Sequence, residues 1–128
     1  MNSGDVKYHK EHAWVKISGN KATVGISDYA QESLGDIVYV DTPELESTVE
    51  AGTELTQIES TKATSSVISP VSGTVIEFNE ELTDSPETIN ESPYDKGWIA
   101  VIEVEDDSDL ADLMDTSEYD KYVEEEAK

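Results

Sequence analysis

The chain has 128 residues, with 30 acidic side chains against eight lysines and no arginine, for a formal net charge of −22. A surface this negative repels nucleic acid and anionic membranes, and without cysteine there is neither a disulfide framework nor thiol chemistry of the protein's own. No run approaches the roughly 20 apolar residues of a membrane span, and the first residues lack the apolar run of a signal peptide. The expectation is therefore one soluble, cytoplasmic domain over residues 1–128, long enough to bury a core without metal or disulfide staples, that meets a partner with a basic docking face.

Val15, Ile17, Ala22, Val24 and Ile26 keep close to alternation across WVKISGNKATVGI, with SGNK as the turn of a hairpin. In SDYAQESLG, Asp28 with Gln31 has the form of a capping box and Gly35 is placed as a helix stop, which predicts a helix of about two turns. DIVYVDTP reads as a strand ended by Pro43. VEAGTELTQIES, KATSSVIS and GTVIEFNEEL read as three more short strands, punctuated at Gly52, near Lys62, and at Pro70 and Gly73. TDSPETINESPYDKGW carries two prolines and many turn formers and reads as a long surface loop, and IAVIEVE as the last strand. Leu110, Leu113 and Met114 follow Ser108 at helical spacing, and Tyr119, Tyr122 and Val123 follow Thr116 in the same way. Two short helices over about 108–125 should then cover one edge of a β core spanning about 7–104.

A weak internal repeat is visible. LGDIVYV and VSGTVIEF each place a glycine before a β run, AGTELTQIE and KGWIAVIE each place one before a second run ending in Glu, and Lys62 falls between the copies. Short strands in two similar halves suggest a mainly β fold, a flattened barrel or sandwich with quasi-twofold symmetry and the central tight turn exposed at one end.

Lys62 sits in that turn. A lysine there is ordinarily a solvated charge, but Ala63, Thr64, Ser65 and Ser66 are small and leave its amine accessible to another protein's active site. A rigid hairpin would present the amine at fixed geometry while the long side chain supplies reach.

These residues carry a resemblance. EHAWVKISGNKATVGISDYAQESLGDIVYV is similar to the N-terminal signature of glycine cleavage system H proteins, ESTKA resembles their lipoyl-attachment site, and NESPYDKGW and the acidic C-terminal segment resemble the rest of that family. The likeness runs from about Lys7 to Val123, almost the whole chain. It implies a lipoyl/biotinyl-type β fold and a carrier that is not itself an enzyme, with lipoic acid amide-linked to the side-chain amine of Lys62. It implies that Glu59 and Gly73 are recognised by the lipoate-attaching enzyme. Its partners would be the pyridoxal-phosphate glycine decarboxylase (P protein), which loads an aminomethyl group onto the arm, the tetrahydrofolate-dependent aminomethyltransferase (T protein), which removes it, and dihydrolipoyl dehydrogenase (L protein), which reoxidises the dithiol. The cofactor carries the chemistry and the protein supplies placement and docking, acting as a monomer. The absence of cysteine suits a redox arm that would otherwise exchange with a nearby thiol. Four positions depart from the family pattern: Ala13 stands for an acid, Ser33 for a His of some relatives, Glu46 for a glycine and Ser66 for an acid.

Other readings fare less well. The alternatives within the carrier class are a lipoyl relay that passes lipoate to other acceptors and the lipoyl domain of another complex. His9, Glu11 and His12 could begin a metal site, but in a run that reads as extended i and i+3 point to opposite faces, so no metal is expected. There is no phosphate loop with a following Lys-Ser/Thr, and hydrolase or transferase activity is not expected. Trp14 and Trp98 read as core packing rather than ligand stacking.

Overall fold

Alternation along WVKISGNKATVGI closes the first hairpin as expected. Strands β2 (Ala13–Ser18) and β3 (Lys21–Ile26) pair in register from Ala13↔Ile26 to Ser18↔Lys21 across a turn of Gly19, at φ +64°, and Asn20. The structure is a computed structural model and describes residues 6–104 and 113–126. Its further elements are β1 (Val6–Tyr8), α1 (Asp28–Leu34), β4 (Ile37–Val40), β5 (Thr48–Val49), β6 (Glu54–Ser60), β7 (Thr64–Ile68), β8 (Gly73–Phe78), α2 (Glu81–Asp84), α3 (Thr88–Glu91), β9 (Ala100–Glu103) and α4 (Thr116–Glu126).

The strands form two sheets, neither closed into a barrel: a six-stranded sheet in the order β1-β2-β3-β9-β8-β5 and a three-stranded sheet in the order β4-β6-β7. The fold is mainly β, as the sequence predicts. Inward side chains of both sheets, among them Val15, Val24, Val75 and Ile102 from one and Val40, Ile58 and Val67 from the other, share one buried core. The internal repeat is also real. Its copies pair equivalently, β4 with β6 and β8 with β9, and each pair bulges at the same place, between Ile37 and Tyr39 and between Val75 and Glu77. Counted from the glycine that opens each copy, Gly35 and Gly73, the two bulges coincide.

Several expectations are corrected. The helix cap is Ser27, whose hydroxyl accepts from Ala30 N–H, rather than Asp28; the Asp28–Gln31 contact joins their side chains at 2.8 Å instead. Gly35, at φ +82°, does end the helix. Residues 83–98 are not a plain loop, because the end of α2 and all of α3 lie there, with Ile89 completely buried, and the strand expected through Leu82 stops at Phe78, leaving Leu82 buried in α2; proline marks the breaks between the short helices. Of the first C-terminal helix, residues 105–112 lie outside those described, whereas Met114 forms an antiparallel bridge with Tyr8 rather than a helical turn. The second exists as α4. Its Tyr119 stacks on Tyr8 with ring centroids 4.2 Å apart, in a second cluster that includes Trp14 and Val6. Trp14 is core, 1% exposed, and its indole N–H donates to the Pro93 carbonyl at 2.9 Å.

The run from His9 to His12 turns rather than extends, with His12 N–H on the His9 carbonyl at 2.9 Å and His12 at φ +71°. The same left-handed backbone occurs at Glu46, φ +67°, which gives a conformational reason for the glycine that the resemblance associates with this position.

Two outcomes follow from this packing. Ile89→Ala, at a fully buried site in a segment rich in turn formers, should cost about 2–5 kcal/mol by urea denaturation; a loss below about 0.5 kcal/mol, the surface range, would mean that α3 does not pack as described. Glu46→Gly should raise stability by about 1 kcal/mol by relieving the left-handed backbone; a destabilised variant would contradict that conformation.

Candidate functional site

Lys62 occupies the tip of the β6–β7 hairpin, whose last strand pair is Glu59↔Thr64. Ser60 N–H donates to the Ala63 carbonyl at 2.8 Å, so only Thr61 and Lys62 lie beyond the closing bond. The Ser60 hydroxyl staples the turn from inside, accepting from Lys62 N–H and Ala63 N–H, each at 3.1 Å, and donating to the Ala63 carbonyl.

The turn is also tied to the body. Thr61 N–H donates to the Asp36 carbonyl at 3.0 Å, just past the end of α1. The Lys62 side chain lies along the same junction: a Cβ built on Gly35 would stand 3.4 Å from Lys62 Cε and 3.8 Å from Nζ. Gly35 thus serves the helix stop, where its positive φ requires it, and the lysine stem packs alongside it at ordinary contact distance. Asn90 of α3 locks this junction, its amide donating to the Gly35 carbonyl and to Gln31 Oε1, both at 2.9 Å, and its oxygen accepting from Ile37 N–H. Gly35, Asp36 and Asn90 escape sequence reasoning as site residues; only Gly35 carries a local signal, and that signal is the helix stop.

Beside the hairpin a cleft of about 140 Å³ opens between α1 and strands β6 and β7. Its apolar wall is Ile26, Ala30, Leu34 and Ile58, and its polar groups are Glu11, His12, Ser33, Ser65 and Ser66. The lining thus sets an apolar wall against a rim of polar groups. His12 is engaged, its Nδ1 2.8 Å from the Tyr119 hydroxyl, which in turn lies 2.6 Å from the Ser27 hydroxyl. His9 Nδ1 accepts from Glu11 N–H. Tyr119 thereby links α4 to the cap of α1, beside the cleft.

The predicted site residues separate. Glu59 is exposed on β6, three residues before Lys62 and opposite Tyr39 of β4. Gly73 is not on the hairpin but opens β8 in the six-stranded sheet, where a Cβ would overlap the Glu103 carbonyl oxygen and approach Ile102 Cγ2 at 2.7 Å. Among the departing positions, Ser33 and Ser66 line the cleft, Ser66 donating to Glu54 Oε1 and thereby lowering the Glu54 pKa, whereas Ala13 is buried opposite Ile26.

A sequence model of the family described as "Glycine cleavage H-protein" matches residues 6–126. The chain belongs to the glycine cleavage H-protein family. It is 52% identical over 122 residues to the mitochondrial glycine cleavage system H protein 2 of Arabidopsis thaliana, covering 95% of this chain and 78% of that one. It is 48% identical over 119 residues to the glycine cleavage system H protein of Staphylococcus saprophyticus, covering 93% and 94%. The crystal structure of a glycine cleavage system H protein from Mycobacterium marinum superposes with a TM-score of 0.84 at 33% identity, covering 99% of this chain and all of that one. H proteins are the lipoate-carrying components of the glycine cleavage system, and this chain has that carrier role. No helix among the described residues is long and apolar enough to cross a membrane.

Because Gly73 faces backbone rather than the hairpin, Gly73→Ala should destabilise the fold by about 1–3 kcal/mol through overpacking. Urea denaturation reads this, and an unchanged midpoint would mean that β8 and β9 do not approach as closely as described.

Proposed function

We propose that Lys62 is the lipoyl-attachment residue and that the chain acts without catalysis of its own, as a monomer in the cytoplasm, between the P, T and L proteins. The observation that carries this is the stapled two-residue turn. It presents one amine, exposed, at the tip of a hairpin whose backbone is bonded to the body of the protein at Asp36. When bound, lipoate supplies a dithiolane that takes up the aminomethyl group of glycine with reduction of its disulfide.

The protein's own residues do the rest. Ser60 fixes the direction in which the arm leaves the turn. The lysine stem lies beside Gly35, and the wall of Ile26, Ala30, Leu34 and Ile58 offers the arm a place partly shielded from water. Glu59, exposed at the base of the turn, suits contact with a basic group of the lipoate-attaching enzyme. Gly73 has a packing reason of its own to be glycine, so its part in recognition would act through the shape of β8.

Incubation with lipoate, ATP and a lipoate ligase should modify Lys62 and no other lysine, as peptide mapping will show. Lys62→Arg should fold normally, since exposed substitutions usually stay within about 0.5 kcal/mol, and should abolish glycine–bicarbonate exchange with P protein. Lipoate on Lys21 or Lys96, or an unmodified chain, would refute the assignment. Efficient lipoylation without glycine exchange would favour the lipoate relay instead.

A further inference from the structure

A second cavity, of about 510 Å³, opens where α1, α3 and α4 meet, a size usual for small-molecule sites. Four carboxylates line it, Asp28 and Glu32 from α1, Glu91 from α3 and Asp120 from α4, and no lysine does. Three phenol rings, Tyr29, Tyr94 and Tyr119, stand among them. Burial pushes the Tyr94 pKa up, so that phenol stays neutral and the charge of the cavity is that of its carboxylates. Asp28 N–H donates to the Tyr94 hydroxyl at 3.0 Å and ties the start of α1 to the segment after α3.

Carboxylates and ring faces both attract a cation, and the rings also cover its carbon atoms. The acids do not converge on a point, however. Among the described residues no three His, Cys, Asp or Glu side chains are placed to hold a metal ion. Charges spread along the walls suit a cation whose own charges are spread.

An independent observation points to the same occupant. The Tyr8 side chain is 1% exposed, and its hydroxyl is the buried polar atom left without a hydrogen-bond partner among the described side chains. Its ring stacks on Tyr119 and meets Tyr94 edge-on, with centroids 4.2 and 6.2 Å apart. Burial raises the Tyr8 pKa, with Tyr94 and Thr116 as polar neighbours and the charge of Asp120 raising it further. The hydroxyl is thus directed at the floor of the cavity, between Tyr94 and Asp120, where its oxygen awaits a donor.

We propose that this cavity binds a linear aliphatic polyamine, its ammonium groups on Glu32, Glu91 and Asp120 and its methylene stems along the tyrosine rings. One ammonium N–H enters between Tyr94 and Asp120 and donates to the Tyr8 oxygen. The occupant bridges three helices whose acids otherwise repel one another. It also backs Tyr29, a wall that this cavity shares with the lysine cleft.

The test is calorimetric titration of the full chain with spermidine at about 0.15 M KCl, where charges are screened beyond about 8 Å. One saturable site is expected, with amide NMR shifts confined to the surroundings of Glu32, Glu91 and Asp120. Glu32→Gln with Asp120→Asn should weaken binding about tenfold, the scale of losing charge-assisted hydrogen bonds. Glu44→Gln with Glu50→Gln removes two exposed acids elsewhere and should leave Kd within about twofold of the parent. Tyr8→Phe changes no charge and should weaken binding about threefold by removing one acceptor. Hexaamminecobalt(III), a compact trication, should bind about tenfold more weakly than spermidine, because one small ion cannot reach dispersed carboxylates. Unsaturable binding, equal losses in the two double variants, an unchanged Kd for Tyr8→Phe, or equal affinity for the two trications overturns the proposal.

Discussion

The hydrogen bond from Thr61 N–H to the Asp36 carbonyl makes the lysine turn part of the protein body. A two-stranded hairpin alone is marginal in water, and a single such bond contributes only about 0.5–1.5 kcal/mol. Its importance is geometric. It joins the tip of one hairpin to the point where a helix ends and another strand begins, so that the amine of Lys62 has a defined origin for its reach. Everything around it serves that junction: Gly35 turns the chain with a backbone that disfavours other residues, Asn90 satisfies both sides of the turn, and Ser60 closes the hairpin within.

The repeat shows how one architecture supplies both a scaffold and a presenting surface. Both halves open with a glycine, run into a bulged strand and pair with the strand of a second motif. In the second half the glycine is needed because the Glu103 backbone crowds it, and in the first because of its positive φ. Equivalent positions thus keep the same residue for different steric reasons. The same bulge leaves Val38 and Tyr39 exposed in one half and a half-buried Ile76 with an exposed Glu77 in the other, so the two halves share a backbone plan but not a surface.

Charge works alongside this geometry. Thirty acids on a small domain favour solubility and discourage self-association, while the immediate neighbours of Lys62, Thr61 and Ala63, are uncharged. Acylation of Lys62 would remove a cation from a surface that is already anionic, leaving the docking field of the carrier almost as it was. In the tyrosine-rich seam between α4 and the six-stranded sheet Tyr119 reaches both His12 and Ser27, so the C-terminal helix supports the cap of the helix whose far end holds the lysine turn.

The sequence by itself determined the β class, the first hairpin, the helix stop at Gly35, the repeat and the lysine between its halves. Each of these is a local signal: period-two alternation, a glycine at a turn, spacing along the chain. The tertiary structure alone decided that Ser27 rather than Asp28 caps α1, that Leu82 sits in a short helix instead of ending a strand, that Ile89 makes a helix out of a segment rich in turn formers, and that Gly73 answers to the backbone of β9. It also decided that Asn90, 28 positions from Lys62 in the chain, holds the ground under it. Those outcomes depend on which groups meet across long separations in sequence. Burial of a side chain and the satisfaction of a particular N–H or C=O are properties of the packed pair, and no window of a single strand or loop contains both partners.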